Sequence, residues 1–367
     1  MLIQLGGLEF SGGEEKRFIT PQCLGIDSLR RARFRGSELR VESVGLYFTA
    51  STPLADELLY ARLAERFGFS SIWQGETRTE RDSTVCIAAM ATVTGRVGLG
   101  TGVLHTWTRN VVTLATTFST LDELSGGRAR LGIGALWEPM ASKIGIERKN
   151  PLNAVREYVE VLRSLFRGDE VNFSGQFVNV NGIRLERIPH RVPVYVGATG
   201  PKMAELAGEV ADGILLNYLV SPEYNHETLK HIEIGAKKAG RSLSDIDRPQ
   251  LLAVSYSRDL EKAHQRARTM VTEYLAMEPH IAIASGVSQK VVEEVREITG
   301  GWPTTKQKLE RASVLIEDQT AKKLMAVGDE EECRKQVLEY VRGGCTEPLL
   351  FAVTGEVLPL IHSFGAE

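Results

Sequence analysis

From Glu42 onward, short runs of β-branched and aliphatic residues alternate with stretches whose apolar positions recur at helical spacing, joined by small glycine-rich links. That alternation predicts consecutive β-α units on a parallel sheet. VGLYFTA (44–50) reads as the first strand. Thr52 stands as N-cap and Pro53 at the first helical position of a helix that carries Leu59, Leu63 and Phe67 on one face and stops at Gly68. SSIWQG (70–75), VGLGTGV (97–103) and ARLGIGA (129–135) read as further strands, with helices over 82–94 and 111–124 between them.

The next helix begins at Pro151 and aligns Val155, Val159, Leu162 and Phe166. VNFSGQFVNVNGIRL follows, and its Ser174-Gly175 and Asn181-Gly182 pairs predict hairpin turns in an insertion over one mouth of the fold. VPVYVGA (192–198) resumes the repeat, then a helix from Pro201 to Val210, GILLN (213–217), a helix near 222–239, LLAVSY (251–256) and EPLLFAV (347–353). Eight strands predict a closed (β/α)8 TIM barrel, with the hairpin as one insertion and a charged helical excursion, containing AHQRARTMVTEYLA and SQKVVEEVREI, before the last strand. The division expected is an N-terminal arm, 1–41, and one barrel domain, 42–367. RRARFRGSELR (30–40) makes the arm either a solvated segment or one that packs on a neighbouring subunit or an anionic ligand.

Charge narrows the partners. The 367 residues hold 44 Lys+Arg against 47 Asp+Glu, a net charge of −3, so the basic excess that phosphate-backbone binding needs is missing and nucleic acid is not expected. The apolar start MLIQLGGL has neither a basic segment before it nor an A-x-A site, and no run approaches the ~18 apolar residues of a membrane span. The four cysteines, Cys23, Cys86, Cys333 and Cys345, are far apart, which argues against zinc and against a disulfide framework. The expectation is a cytoplasmic protein acting on a small molecule, without a metal.

In an α/β barrel the chemistry lies where the strands end at their C-terminal side. Those positions here are Tyr47 and Thr49; Gly75-Glu76; Gly102 to Trp107; Gly134 to Glu138; and Gly197 to Lys202. Such a mixture of glycine, aromatic and polar residues suits a planar cofactor, since glycine admits a ring and aromatic side chains cover it. GATGPK opens a helix with small residues, a proline at N1 and Lys202. It is either an anion cradle for a phosphate or an ordinary capped turn, and it lacks the Walker A and Rossmann spacings. His105 is either a proton or hydrogen-bond donor to a ring or a structural histidine. Glu76 and Glu138 are either an acid and a polar positioner or solvent-facing carboxylates.

RVGLGTGVLHTWTRNVVTLATTFSTLDELSGGRARLGIGA, ERKNPLNAVREYVEVLRSLFRG and VPVYVGATGPKMAELAGEVADGILLN together resemble the bacterial-luciferase-like superfamily. Thr108-Arg109, LDELSGGR and GATGPKMAELAGEVADG make the resemblance greatest to its deazaflavin-dependent branch, and there to methylenetetrahydromethanopterin reductases. The resemblance covers 42–240 and, more weakly, GCTEPLLFAV. It implies coenzyme F420 across the C-terminal mouth, with its phosphate-bearing tail at Thr199, Gly200, Pro201 and Lys202. It also implies a bulge with a non-prolyl cis peptide at Gly102-Val103 behind the ring and a homodimer formed through helices one to three, where Val85, Ile87 and Met90 lie; Tyr47, Trp107 and Gly134, from their place at the strand ends, are expected around the ring.

The chain departs from the reductase pattern at several mouth positions. Tyr47-Phe48 stands for the usual Glu-Phe, Gly75-Glu76 for Asp-His, His105 and Trp107 for an asparagine and a tyrosine, and Leu136-Trp137 for a small residue and a carboxylate. The implied activity is hydride transfer between F420 and a small organic substrate, methylenetetrahydromethanopterin or a related pterin. Glu76 is the first choice for the proton donor and His105 the second. The alternatives are a flavin mononucleotide-dependent monooxygenase, suggested by GALWEP, and a non-catalytic deazaflavin-binding barrel.

Overall fold

In the computed structural model, which describes residues 43–76, 79–138, 140–353 and 356–366, the β-α alternation becomes a parallel sheet. Its strands are β1 (Gly45–Phe48), β2 (Ser71–Gln74), β3 (Gly98–Thr101), β4 (Leu104–His105), β5 (Ala129–Gly134), β8 (Val194–Gly197), β9 (Gly213–Leu215), β10 (Pro249–Tyr256), β11 (Ala326–Gly328) and β12 (Glu347–Ala352). A separate antiparallel hairpin joins β6 (Val171–Ser174) to β7 (Asn179–Ile183). The first helices are α1 (Leu54–Arg66), α2 (Ser83–Val93), α3 (Val111–Ser125), the short α4 (Met140–Lys143), α5 (Pro151–Phe166), α6 (Pro201–Val210) and α7 (Pro222–Lys238). The helical excursion comprises α8 (Leu260–Met277), α9 (Pro279–Ala284), α10 (Gln289–Thr299), α11 (Lys306–Ser313) and α12 (Asp318–Leu324), and α13 (Glu330–Arg342) and α14 (Val357–Phe364) flank β12. The arm expected at 1–41 lies outside the described residues.

The closed eight-stranded TIM barrel expected from the repeat is not what forms. The strands make a curled, open sheet of ten, in the order β11-β10-β12-β1-β2-β3-β5-β8-β9 with β4 beside β5. The reason lies at β10. One edge pairs with β12 from Pro249 to Val254, and the other is taken by β11 beside Val254–Tyr256. Only isolated bridges, Gly213↔Asp247 and Leu216↔Gln250, approach β10 from the β9 side, so no continuous ladder closes the ring. Strands β4 and β11, of two and three residues, are too short to show a period and escaped the sequence count.

Local readings need smaller corrections. Pro53 rather than Thr52 is the N-cap of α1, and the face turned to the sheet carries Glu57, Ala61 and Ala64, while Leu59 is exposed. The hairpin turns at Gly175–Val178, where the Gly175 N–H donates to the Val178 carbonyl at 2.8 Å; Asn181-Gly182 lies inside β7 instead. Of the three apolar residues assigned to a dimer face, Ile87 and Met90 are core and Val85 alone is exposed, at 61%.

Two apolar layers hold the sheet. Its outer face packs on the helices through Ile72, Leu99, Phe118, Leu131 and Val194, and the excursion has its own core around Val271, Leu275, Val292 and Val295. The inner face is filled by Tyr47, Trp73, Tyr195, Leu215 and Leu349. Trp73 and Tyr195 meet edge to face at 5.1 Å, and Trp73 lies over Gly100, where a Cβ would stand 2.3 Å from the ring. Beneath them, Trp73 Nε1 donates to Ser71 Oγ (2.8 Å), Ser71 Oγ to Glu347 Oε1 (2.7 Å), and Arg130 pairs with Glu347 Oε2 at 3.1 Å. This polar plug closes the end opposite the strand C-termini, and a 620 Å³ pocket lined by Arg128, Arg130 and Asp247 lies there, away from the expected chemistry.

The inner layer depends on bare backbone. A Cβ at Gly132 would lie 2.0 Å from the Thr101 carbonyl oxygen, a backbone atom that cannot yield cheaply. Gly132→Ala is therefore expected to destabilise the fold by about 3 kcal/mol in denaturant unfolding.

Candidate active site

The mouth is organised around an interruption in one strand. β3 pairs with β5 through Leu99↔Ala129 and Gly100↔Arg130, and β4 resumes that pairing through Leu104↔Ile133 and His105↔Gly134. Between them the chain bulges at Gly102-Val103, which is a non-prolyl cis peptide, as the resemblance implied. The bulge is fixed from both sides: the Gly102 N–H donates to the Gln74 carbonyl at 2.9 Å, and the buried Tyr47 hydroxyl donates to the Gly102 carbonyl. Burial pushes the Tyr47 hydroxyl well above its ordinary pKa, with a smaller push from Tyr218, so it stays a neutral donor.

The mouth glycines serve these two side chains. A Cβ at Gly75 or Gly102 would meet Tyr47 at 2.7 and 2.9 Å, and one at Gly134 or Gly197 would meet Val103 at 2.8 and 3.0 Å. They thus admit Tyr47 and Val103, where the sequence reading had them admit a ring. Gly200 differs, since nothing lies within 4 Å of its Cβ position. Gly200 begins α6 with no side-chain cap, Pro201 fills N1, and Thr199, Pro201 and Lys202 are exposed. Uncapped N–H groups at a positive helix end, beside a lysine, form a ready anion cradle. The Tyr224 hydroxyl fixes its entry by donating to the Thr199 carbonyl at 2.5 Å.

Glu76 reaches this mouth as an anchored acceptor. Its Oε1 accepts from Arg109 Nη1 at 2.7 Å, and its Oε2 accepts from the Ser83 N–H and hydroxyl at 3.0 and 2.8 Å. Arg109 also bonds Asp82, the N-cap of α2, at 2.9 Å. His105 lies half-buried beside this network. Burial lowers its pKa, Glu76 pulls the other way and Arg109 adds to the lowering, which keeps the imidazole neutral at pH 7. Trp107 meets Phe177 edge to face, with centroids 6.3 Å apart, which places the hairpin tip over the mouth. That tip is clamped by buried Glu157, whose oxygens accept from the Gln176, Phe177 and Val178 N–H groups at 2.8 to 2.9 Å. Glu138 is exposed and accepts from Ser142 at the start of α4.

Sequence reasoning missed the opposite wall, which the excursion supplies. Trp137 packs edge to face on Trp302 at 4.7 Å and hydrogen-bonds Glu278, the residue between α8 and α9. Tyr218, just beyond β9, meets Tyr274 of α8 at 5.2 Å, and Glu278 acts electrostatically on both Tyr274 and Tyr224. Pro279, interrupting a helical pattern, was the local signal that a junction lay there. Among the described residues no group of three or more His, Cys, Asp or Glu is placed to hold a metal, and no helix is long and apolar enough to cross a membrane.

Residues 40–347 match the luciferase-like monooxygenase family. The chain is 35% identical over 239 residues to the 5,10-methylenetetrahydromethanopterin reductase of Methanolobus tindarius, spanning 65% of this chain and 73% of that protein. It is 34% identical over 255 residues to the reductase of the same name from Archaeoglobus fulgidus, spanning 69% and 76%. Its fold is similar to that of the coenzyme F420 dependent tetrahydromethanopterin reductase of Methanopyrus kandleri, with a TM-score of 0.79 over 89% of this chain and 98% of that one, at 24% identity.

Two outcomes test the supports of this mouth. Tyr47→Phe leaves the Gly102 carbonyl without its buried donor and is expected to cost about 1–3 kcal/mol in denaturant unfolding. Behind the mouth, Arg81 joins the first two loops by bonding buried Glu57 at 2.6 Å and the Thr52 carbonyl at 3.0 Å. Burial pushes the Glu57 carboxyl up to about 7 against the pull of Arg81. Because the folded state holds this proton more tightly than the unfolded chain, stability falls as pH rises from 4.5 to about 7, and Glu57→Gln should remove that slope from pH-dependent unfolding curves.

Proposed function

The chain belongs to the luciferase-like monooxygenase family, and we propose that it acts there as a coenzyme F420-dependent oxidoreductase on methylenetetrahydromethanopterin or a closely related pterin. One observation carries the cofactor reading: Gly197, which opens the loop to the uncapped start of α6, lies against Val103 of the bulge. An anion cradle and a ring support are therefore neighbours on one mouth. A phosphate-bearing deazaflavin fits the residues present, its tail at Thr199, Gly200, Pro201 and Lys202 and its ring against Val103.

When bound, the deazaflavin supplies a two-electron hydride at a ring carbon. The chain's own groups position and polarise. Val103 would back the ring once it is bound, and Tyr47 holds the bulge that carries Val103. Neutral His105 presents a hydrogen-bonding edge to the ring or the substrate. Glu76 fixes Arg109, so that a guanidinium stands beside His105 and favours the neutral imidazole. Trp107 and the hairpin tip cover one side and exclude water.

We also infer a homodimer through α2 and α3. Their exposed positions include Val85, Thr92, Thr113, Thr116, Thr120 and Leu124, a nearly uncharged surface. Val85→Asp is expected to shift the sedimentation coefficient to that of a monomer.

Fluorescence titration of the purified chain against F420 and flavin mononucleotide tests the cofactor directly. The expected result is selective F420 binding, with Lys202→Ala weakening it about tenfold, the equivalent of ~1.4 kcal/mol. Selective binding of flavin mononucleotide overturns the reading in favour of an oxygen-dependent monooxygenase.

A further inference from the structure

Carboxylates stand on both sides of the mouth, and their surroundings differ. Glu76 has three donors on its two oxygens, one of them a guanidinium, so its lone pairs are already taken up as acceptors. Glu278 sits at the end of α8 with its side chain about 20% exposed. It hydrogen-bonds Trp137, which follows β5, and lies within electrostatic reach of Tyr274, which packs on Tyr218 beyond β9, and of Tyr224, which is bonded to Thr199 beyond β8. The Trp137 hydrogen bond ties this carboxyl to the end of β5, so it belongs to the C-terminal mouth although its helix lies far along the chain.

We propose that Glu278 is the proton donor to the substrate, acting from the Trp137 side of the mouth. This inference rests on the pterin reading above. Opening a methylene-bridged five-membered ring requires a proton on the nitrogen whose C–N bond breaks. Glu278 gives that proton and is left as a carboxylate, and the bridging carbon becomes an iminium. That carbon then takes a hydride from the reduced cofactor and becomes a methyl group. Overall the cofactor gives up one hydride and one proton, so the proton consumed at nitrogen is replaced.

The surroundings of Glu278 favour its protonated form more than water does. Burial raises its pKa, while His280, Trp137 and Arg148 pull less strongly the other way. His280 Nδ1 lies 3.8 Å from Glu278 Oε2 and is largely exposed, a route by which the proton can be restored from solvent. Trp302 and Trp137 form an aromatic wall beside the carboxyl, suited to a flat heteroaromatic ring.

The test is steady-state turnover of reduced F420 with methylenetetrahydromethanopterin across pH, together with a pH titration of tryptophan fluorescence in the full chain without substrate. Glu278→Gln should lower kcat at least a hundredfold while KM and F420 affinity stay within threefold. Wild-type kcat should fall as pH rises through the ionisation of Glu278, and the residual activity of the variant should be flat there. The fluorescence transition from Trp137 should appear in the wild type and vanish in Glu278→Gln. Glu278→Asp, which keeps a carboxyl, should recover part of kcat and the pH limb. If Glu278→Gln keeps full kcat, or loses only KM, the inference is overturned while the cofactor and substrate reading stands. A wild-type protein that binds F420 and turns over no methylene-pterin overturns both.

Discussion

The hydrogen bond from the buried Tyr47 hydroxyl to the Gly102 carbonyl is the interaction on which the mouth depends. It ties the first strand to the point where the third is interrupted. Val103 projects from that point against Gly134 and Gly197, and β4 and the loop after it carry His105 and Trp107. A tyrosine here needs space on both sides, and Gly75 and Gly102 supply it. The same logic runs down the inner face, where Gly100 admits Trp73 and Gly213 admits Tyr195. Large aromatic side chains fill the interior because the facing strands carry no Cβ at the points of contact.

Charge on the mouth is divided by environment. On the β2 side, Glu76, Arg109 and Asp82 form an ion-pair network partly open to water that ties the loops together. On the excursion side, Glu278 hydrogen-bonds Trp137, faces His280 at 3.8 Å and is partly buried, and burial raises its pKa. The reductase pattern carries an acid on the first strand; here that place is taken by Tyr47, used as a structural donor, and the available acid sits on a helix junction instead.

The hairpin shows how distant segments are recruited to the same mouth. Glu157 lies in the middle of α5, and its carboxylate organises three consecutive backbone N–H groups of the β6–β7 turn. Burial alone would raise its pKa, but these donors, with Asn153, lower it below the ordinary range, so it remains a charged clamp. Phe177 is thereby delivered to Trp107. The turn bends at Gly175–Val178, where the clamp holds it, while Asn181-Gly182, equally turn-like in sequence, stays within a strand.

By itself the sequence determined what depends on neighbours a few positions apart. The β-α order, the helix at Pro201–Val210, the buried faces of α5, the hairpin and the uncapped glycine-proline start of α6 were all legible, because helical and strand periods and terminal residues act over one or two turns. Motif order also carried the bulge at Gly102-Val103 and the family. Only the tertiary structure decided the rest. The sheet stays open because β9 meets the β10 edge only through isolated bridges at Asp247 and Gln250, while β11 pairs further along that edge at Val254–Tyr256. The glycines serve Tyr47 and Val103 because those side chains arrive from other strands. Ile87 and Met90 are core because α2 packs on the sheet as well as on α3, and Glu278 joins the mouth because the α8–α9 junction comes against Trp137 at the end of β5. Each of these is a close approach between residues far apart in the chain, and local pattern carries no information about which distant backbone will stand 3 Å away.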